Sequence, residues 1–143
     1  MNMIRIGEPV QREEDLRLLT GRGRFADDVN APRQARAYVL RSPHAHAEIR
    51  RIDVKAARRT PGVLAVLTGD DLARRGLGML KPANAGKRSD GSPGFVCSQP
   101  LLAQGRVRFA GEPVAFVVAL SVDQAKDAAE SIDVDYEPLP AVI

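Results

Sequence analysis

Residues 107–143 read VRFAGEPVAFVVALSVDQAKDAAESIDVDYEPLPAVI, and the order of parts within this stretch decides the fold. Residues 114–120 form an unbroken apolar run of strand length, rich in Val and containing Phe116, which predicts a strand buried on both faces at the centre of a sheet. Ser121 and Gln124 then spell a capping box. The hydroxyl accepts from the Gln124 amide and the Gln124 side chain reaches back to the Ser121 amide, so a helix begins at Val122. Val122, Ala125, Ala128, Ala129 and Ile132 recur at helical spacing, and the small alanines let this helix lie close against the sheet. Residues 132–136 alternate apolar and acidic side chains, as a strand with one solvated face does, and Pro138 and Pro140 end it because neither can donate to a ladder.

The upstream sequence repeats this order. Residues 34–41 have the alternation of a strand, closed by Ser42 and Pro43, and residues 47–52 make a second. Asp53 caps a short helix over 54–59, which ends at Thr60, Pro61 and Gly62 because the residue before proline avoids helical angles. Residues 63–67 read as a buried strand, and Thr68 with Asp71 repeats the capping pattern and starts a brief helix through Arg75. Strand, turn, strand, helix, strand thus occurs at 34–67 and again at 107–136, a structural repeat without sequence identity. A helix following each second strand predicts right-handed crossovers onto a sheet, and the class is α/β, as an α+β mixed sheet. The expected architecture is two strand-strand-helix-strand units in a domain over 34–143, preceded by an N-terminal arm over 1–33.

The units are joined by residues 76–100, which hold Gly76, Gly78, Gly86, Gly91 and Gly94 with Pro82, Pro93 and Pro100. A connection this long without periodicity is a functional surface loop or a disordered one, and its polar stretch 87–92 is expected to be mobile. Phe95 and Val96 stand out as apolar residues with reason to dock against something. In the arm, Leu16, Leu18 and Leu19 support one turn of helix at most. GRGRFADDVN at 21–30 matches G-x-G-x-x-A formally, but no strand precedes it and Pro32 follows where a helix is needed, so it is read as a turn.

Composition bounds the function classes. The 143 residues, 44% of them apolar, suit one domain with an ordinary core. The N-terminal residues carry Arg5, Glu8, Arg12 and Glu13 where a secretion signal has an apolar core, and no apolar stretch has the length of a membrane helix. Cys97 is the single cysteine, which excludes an internal disulfide and a multi-thiolate metal or cluster site, and fits a reducing cytoplasm. Residues 1–60 hold 13 Lys+Arg against 8 Asp+Glu, and residues 61–143 hold 8 against 10. The basic half is mostly arginine, suited to carboxylate or phosphate, yet it has no clean basic run and no interleaved aromatics. A solvated basic face is the reading, and nucleic acid is disfavoured.

Catalytic candidates are few. His44 and His46 lie two apart, but no third histidine exists to complete a metal site with them. Asp27 with Asp28 and Asp70 with Asp71 fall at turn or cap positions, and Asp133 with Asp135 falls on the outer face of a strand. Ser42 and Ser121 have no oriented base. No catalytic, cofactor-binding or metal-binding residue is assigned.

RSPHAHAEIRRID at 41–53, PGVLAVLTGDDL at 61–72, VRFAGEPVAFVVA at 107–119 and AKDAAESIDVDYEPLPAV at 125–142 occur in a characteristic order. Together they resemble the α/β hammerhead domain of the xanthine dehydrogenase and aldehyde oxidase family. REEDLRLLTGRGRFADDV at 12–29 is similar, more narrowly, to large subunits of the carbon monoxide dehydrogenase type. Only the loop 76–100 departs from the pattern.

The resemblance implies the N-terminal structural and docking domain of a molybdenum hydroxylase large subunit, whose enzymes insert oxygen from water into a carbon substrate. It implies molybdopterin, iron-sulfur clusters and flavin in the complete enzyme, held by the remainder of the molybdenum-binding large subunit and by iron-sulfur and flavin subunits. The catalytic part lies beyond the hammerhead domain, so this chain alone is expected to bind no cofactor and to be inactive. By its position, the loop 76–100 would border the substrate funnel, with Phe95 and Val96 lining it. The alternative is a free-standing protein- or nucleic-acid-binding module that kept the fold without catalysis.

Overall fold

In the computed structural model, which describes residues 7, 12–83 and 86–141, the chain divides into two compact units, residues 1–34 and 35–143. Among its described residues the first holds a short helix, α1 (Asp15–Leu19), closed by the Thr20 hydroxyl donating to the Leu16 carbonyl at 2.6 Å. A 3-10 turn at Ala26–Asp28 follows, in which the Asp28 carboxylate accepts from the Phe25 amide at 2.9 Å. The readings of Arg5 and Glu8 fall outside the described residues.

The second unit runs β1 (Arg36–Arg41), β2 (Ala47–Asp53), α2 (Lys55–Arg59), β3 (Val63–Thr68), α3 (Gly69–Arg74), β4 (Arg106–Val107), β5 (Pro113–Ala119), α4 (Val122–Glu130) and β6 (Asp133–Pro138). The elements fall close to their expected places, but their pairing differs. There are two three-stranded sheets, ordered β1-β5-β3 and β4-β2-β6, and every pairing is antiparallel. The expected crossovers onto one mixed sheet are therefore not formed. Instead α2 leads from the second sheet to the first, and α4 leads back. The crossover rule governs parallel strands of one sheet, and here each helix changes sheets.

The repeat survives this correction in another form. Each repeat's second strand is the centre of a sheet flanked by strands of the other repeat: β5 lies between β1 and β3, and β2 lies between β4 and β6. Neither half can complete a sheet alone, so the two fold as one interlocked body.

Ser121 accepts from the Gln124 amide at 3.2 Å and starts α4 at Val122 as its sequence requires. The Gln124 side chain, however, meets the Ser121 hydroxyl at 3.3 Å in place of the Ser121 amide. Thr68 and Asp71 form the full reciprocal box at α3. Asp53 acts one residue further out than expected. Val54 holds the cap position of α2, and the Asp53 carboxylate accepts from the Lys55 amide at 3.0 Å.

Ala125, Ala128 and Ala129 are fully or almost fully buried and bring α4 onto the face of β5 that carries Ala115, Val117 and Ala119. A second cluster of Ala47, Ala103, Val107 and Val114 sits against the other sheet, and Ile52 and Val134 belong to both. Two burial expectations fail. Phe116 and Val118, on the far face of β5, are only half-buried, and Leu64 in β3 is exposed. The reason is shared: β3 is an edge strand, and the helices cover only one face of its sheet.

Candidate docking surface

The loop 76–100 departs from α3 at Gly76, whose φ of +71° is open to glycine at little cost. Among its described residues, Leu80 and Gln99 form an antiparallel bridge, with N···O distances of 2.7 and 2.9 Å. Nested inside is a smaller one between Lys87 and Pro93, where the Arg88 amide donates to the Ser92 carbonyl at 2.9 Å. At the tip, Asp90 accepts from the Ser92 hydroxyl at 2.6 Å and the Ser92 amide at 2.9 Å, which holds its carboxyl below the usual range. Residues 87–92, expected to be mobile, thus carry a hydrogen-bonded turn. Asn84 and Ala85 lie outside the described residues.

This framework presents apolar side chains to solvent. Phe95 is 79% exposed and Val96 46%, and Leu77, Met79 and Leu80 are exposed as well. Several exposed apolar residues on one connection are a mark of an interaction surface.

A second apolar feature lies on the uncovered face of β1-β5-β3. Register aligns Val39 and Leu67 on either side of Phe116, and cross-strand partners share a face. This row floors a groove of about 260 Å³, walled by Leu72 and Leu101 and ended by Arg41, whose guanidinium donates to the Gly111 carbonyl at 2.9 Å. The sequence reading missed the groove because it took the apolar run of β5 as buried on both faces. The signal was Phe116 itself, which needs more cover than this chain supplies.

The residues considered for chemistry take structural roles. His44 packs against Tyr136 in a tilted ring contact, centroids 4.8 Å apart, and His46 Nδ1 donates to the Pro140 carbonyl at 2.7 Å. Cys97 is exposed, and among the described residues no three His, Cys, Asp or Glu side chains gather where they could hold a metal ion. Ser42 is buried, and its hydroxyl accepts from the His44 amide at 3.0 Å and donates to the His44 carbonyl at 3.2 Å. Tyr136 has its phenol raised by burial, partly offset by a hydrogen bond with Ser42.

On the β4-β2-β6 sheet three arginines are answered by acids. Arg50 meets Glu137 at 2.5 Å, Arg51 meets Asp133 at 2.8 Å, and Arg106 meets Glu48 at 2.8 Å. Asp71 receives both Arg74, at 2.5 Å, and Arg58, at 3.4 Å. Burial works to raise the Asp71 carboxyl, but the Thr68 amide and Arg74 outweigh it and hold the group below the usual carboxylate range. No helix among the described residues is long and apolar enough to cross a membrane.

A family profile described as the aldehyde oxidase and xanthine dehydrogenase a/b hammerhead domain matches residues 20–140. The nicotine 6-hydroxylase large subunit of Paenarthrobacter nicotinovorans is 41% identical over 138 residues, covering 96% of this chain and 16% of that protein. Among solved structures, Cu,Mo-CO dehydrogenase superposes with a TM-score of 0.79 at 41% identity, over 96% of this chain and 16% of that one. Quinoline 2-oxidoreductase from Pseudomonas putida 86 gives 0.78 at 46% identity, over 96% and 17%. The chain therefore spans about one-sixth of the length of these relatives.

Proposed function

Since the chain belongs to the aldehyde oxidase and xanthine dehydrogenase α/β hammerhead family, we propose that it serves as the N-terminal structural and docking domain of a molybdenum hydroxylase large subunit. Residues 34–143 are the hammerhead proper and residues 1–33 an arm. The observation that carries this reading is the match over 96% of the chain to only 16% of the nicotine 6-hydroxylase large subunit. The interlocked repeats agree with it, since they form a self-supporting body whose apolar loop and groove still face solvent.

On this reading the partners are the remaining polypeptide of the large subunit and the iron-sulfur and flavin subunits. The complete enzyme carries molybdopterin, iron-sulfur clusters and flavin. The donor set of this chain does not fit an iron-sulfur cluster, which needs several thiolates where the chain has one cysteine. On this reading the chain alone is inactive, and its contribution is to position and enclose. The exposed thiol of Cys97 suits a reducing cytoplasm. A free-standing nucleic-acid-binding module is disfavoured, since the strand arginines Arg50, Arg51 and Arg106 are already paired with acids.

Within the assembled enzyme, Phe95 and Val96 line the path of substrate. Their exposure supports this, because docking two such side chains removes apolar area from water. Two measurements test the proposal. Joined to the remaining polypeptide, the chain is expected to give a stable large subunit that turns over substrate, whereas neither part does so alone. Replacing Phe95 and Val96 with serine in that enzyme is expected to change KM or substrate preference at constant molybdenum and iron content. Unchanged kinetics across several substrates would remove the funnel role and leave the docking role standing.

A further inference from the structure

The apolar run of β5 has side chains for burial on two faces; this chain covers one throughout and the other fully only at Val114. Ala115, Val117 and Ala119 are fully buried under α4. On the other face Phe116, between Val39 and Leu67, is left half-open in a groove walled by Leu101, which is 42% exposed. A strand with one solvated face alternates apolar and polar residues, as β6 does with Asp133, Val134, Asp135 and Tyr136. The far face of β5 has no polar residue between Pro113 and Ala119 with which to meet water.

At one end of this groove stands Arg41. Its guanidinium holds the Gly111 carbonyl, and among the described residues no carboxylate pairs with it. Among the other strand arginines, Arg50, Arg51 and Arg106 each have a carboxylate within 2.8 Å. An apolar floor with one arginine at its end fits an apolar segment that carries an acidic residue beside its anchor.

Resting on the function proposed above, we propose that this groove seats an apolar segment, flanked by an acidic residue, of the polypeptide that completes the large subunit. The relatives supply the reason to choose that occupant over a second copy: each contains about six times as much chain as the segment matched here. The groove is distinct from the loop carrying Phe95 and Val96. It is built from strand residues whose positions are set by register, so it offers a preformed seat.

The test is cysteine accessibility. Leu101→Cys and Val39→Cys are made singly in a Cys97→Ser background, and reaction with a thiol reagent is followed in this chain alone and in the assembled large subunit. Native Cys97 is followed in parallel as a reporter of the loop. The expected result is that both groove thiols react at least roughly tenfold more slowly after assembly, as burial requires. Groove thiols that keep the rate of the isolated chain in an assembled enzyme would overturn the proposal, and if Cys97 is protected there, the docking function stands without it. Slowing that appears in the chain alone and grows with its concentration would identify a second copy as the occupant, which also overturns it. Failure of the two polypeptides to assemble overturns this proposal together with the function on which it rests.

Discussion

The carboxylate of Glu112 is buried in the turn between β4 and β5, where it accepts from the backbone amide of Arg108, while the Arg108 guanidinium stands 3.6 Å away. The Glu112 amide in turn donates to the Phe109 carbonyl at 3.2 Å. The Gly-Glu-Pro turn is thus closed by its own middle residue. Glu112→Ala leaves the Arg108 amide without its acceptor and is expected to cost about 1–3 kcal/mol, whereas Glu112→Gln keeps an acceptor oxygen and costs less. Denaturant midpoints compare them, and an alanine variant as stable as the parent would show that the bond contributes nothing.

Ser121 offers a second test. Its hydroxyl satisfies one amide of the first turn of α4, and that helix covers the core face of β5. Ser121→Ala is expected to cost about 0.5–2 kcal/mol, and Ser121→Asp should retain most of the stability. Equal losses in the two variants would mean that the cap is not what matters at this position.

Gly62 ends the connection from α2 with a φ of +83°, and a Cβ placed there would meet the Gln124 carboxamide at 2.4 Å. Gly62→Ala is expected to cost about 1 kcal/mol or more through its backbone angle. Adding Gln124→Ala should recover the steric part and no more, so that the double variant loses less than the sum of the singles. Strict additivity, measured by thermal melts, would show that the two side chains do not meet.

Asp71 contributes to the pH dependence of stability. Its side chain is only 16% exposed and its carboxyl titrates lower in the folded chain than in the unfolded one, so the unfolded state takes up protons first as pH falls. Its stabilisation is complete above the unfolded value, about 3.9, and is lost as pH drops through the lower folded value. Asp71→Asn should be less stable at pH 7 and should show a shallower loss of stability below about pH 4 than the parent. Parallel stability curves for the two proteins would exclude this carboxylate as a contributor.

Element by element, local chemistry was decisive. Ser121 with Gln124 and Thr68 with Asp71 start their helices where their spacing requires, because a cap involves residues three apart and needs nothing distant. The apolar run of β5 likewise identified a sheet centre, and β5 does lie between β1 and β3, although its far face is only half covered. The motifs at 41–53, 61–72, 107–119 and 125–142 carried the family, which the match over residues 20–140 then showed.

What the sequence by itself determined, then, is which segments become strands and helices, where α3 and α4 begin, and to which family the chain belongs. Only the tertiary structure decided which strands pair. Ladder bonds are made by backbone groups identical in every residue, so no local pattern says that β5 pairs with β1 and β3, or that β2 takes β4 and β6. The groove follows from that pairing. Phe116 looks like a core residue in sequence, and it becomes half-open because α4 can cover one face of its sheet and not both.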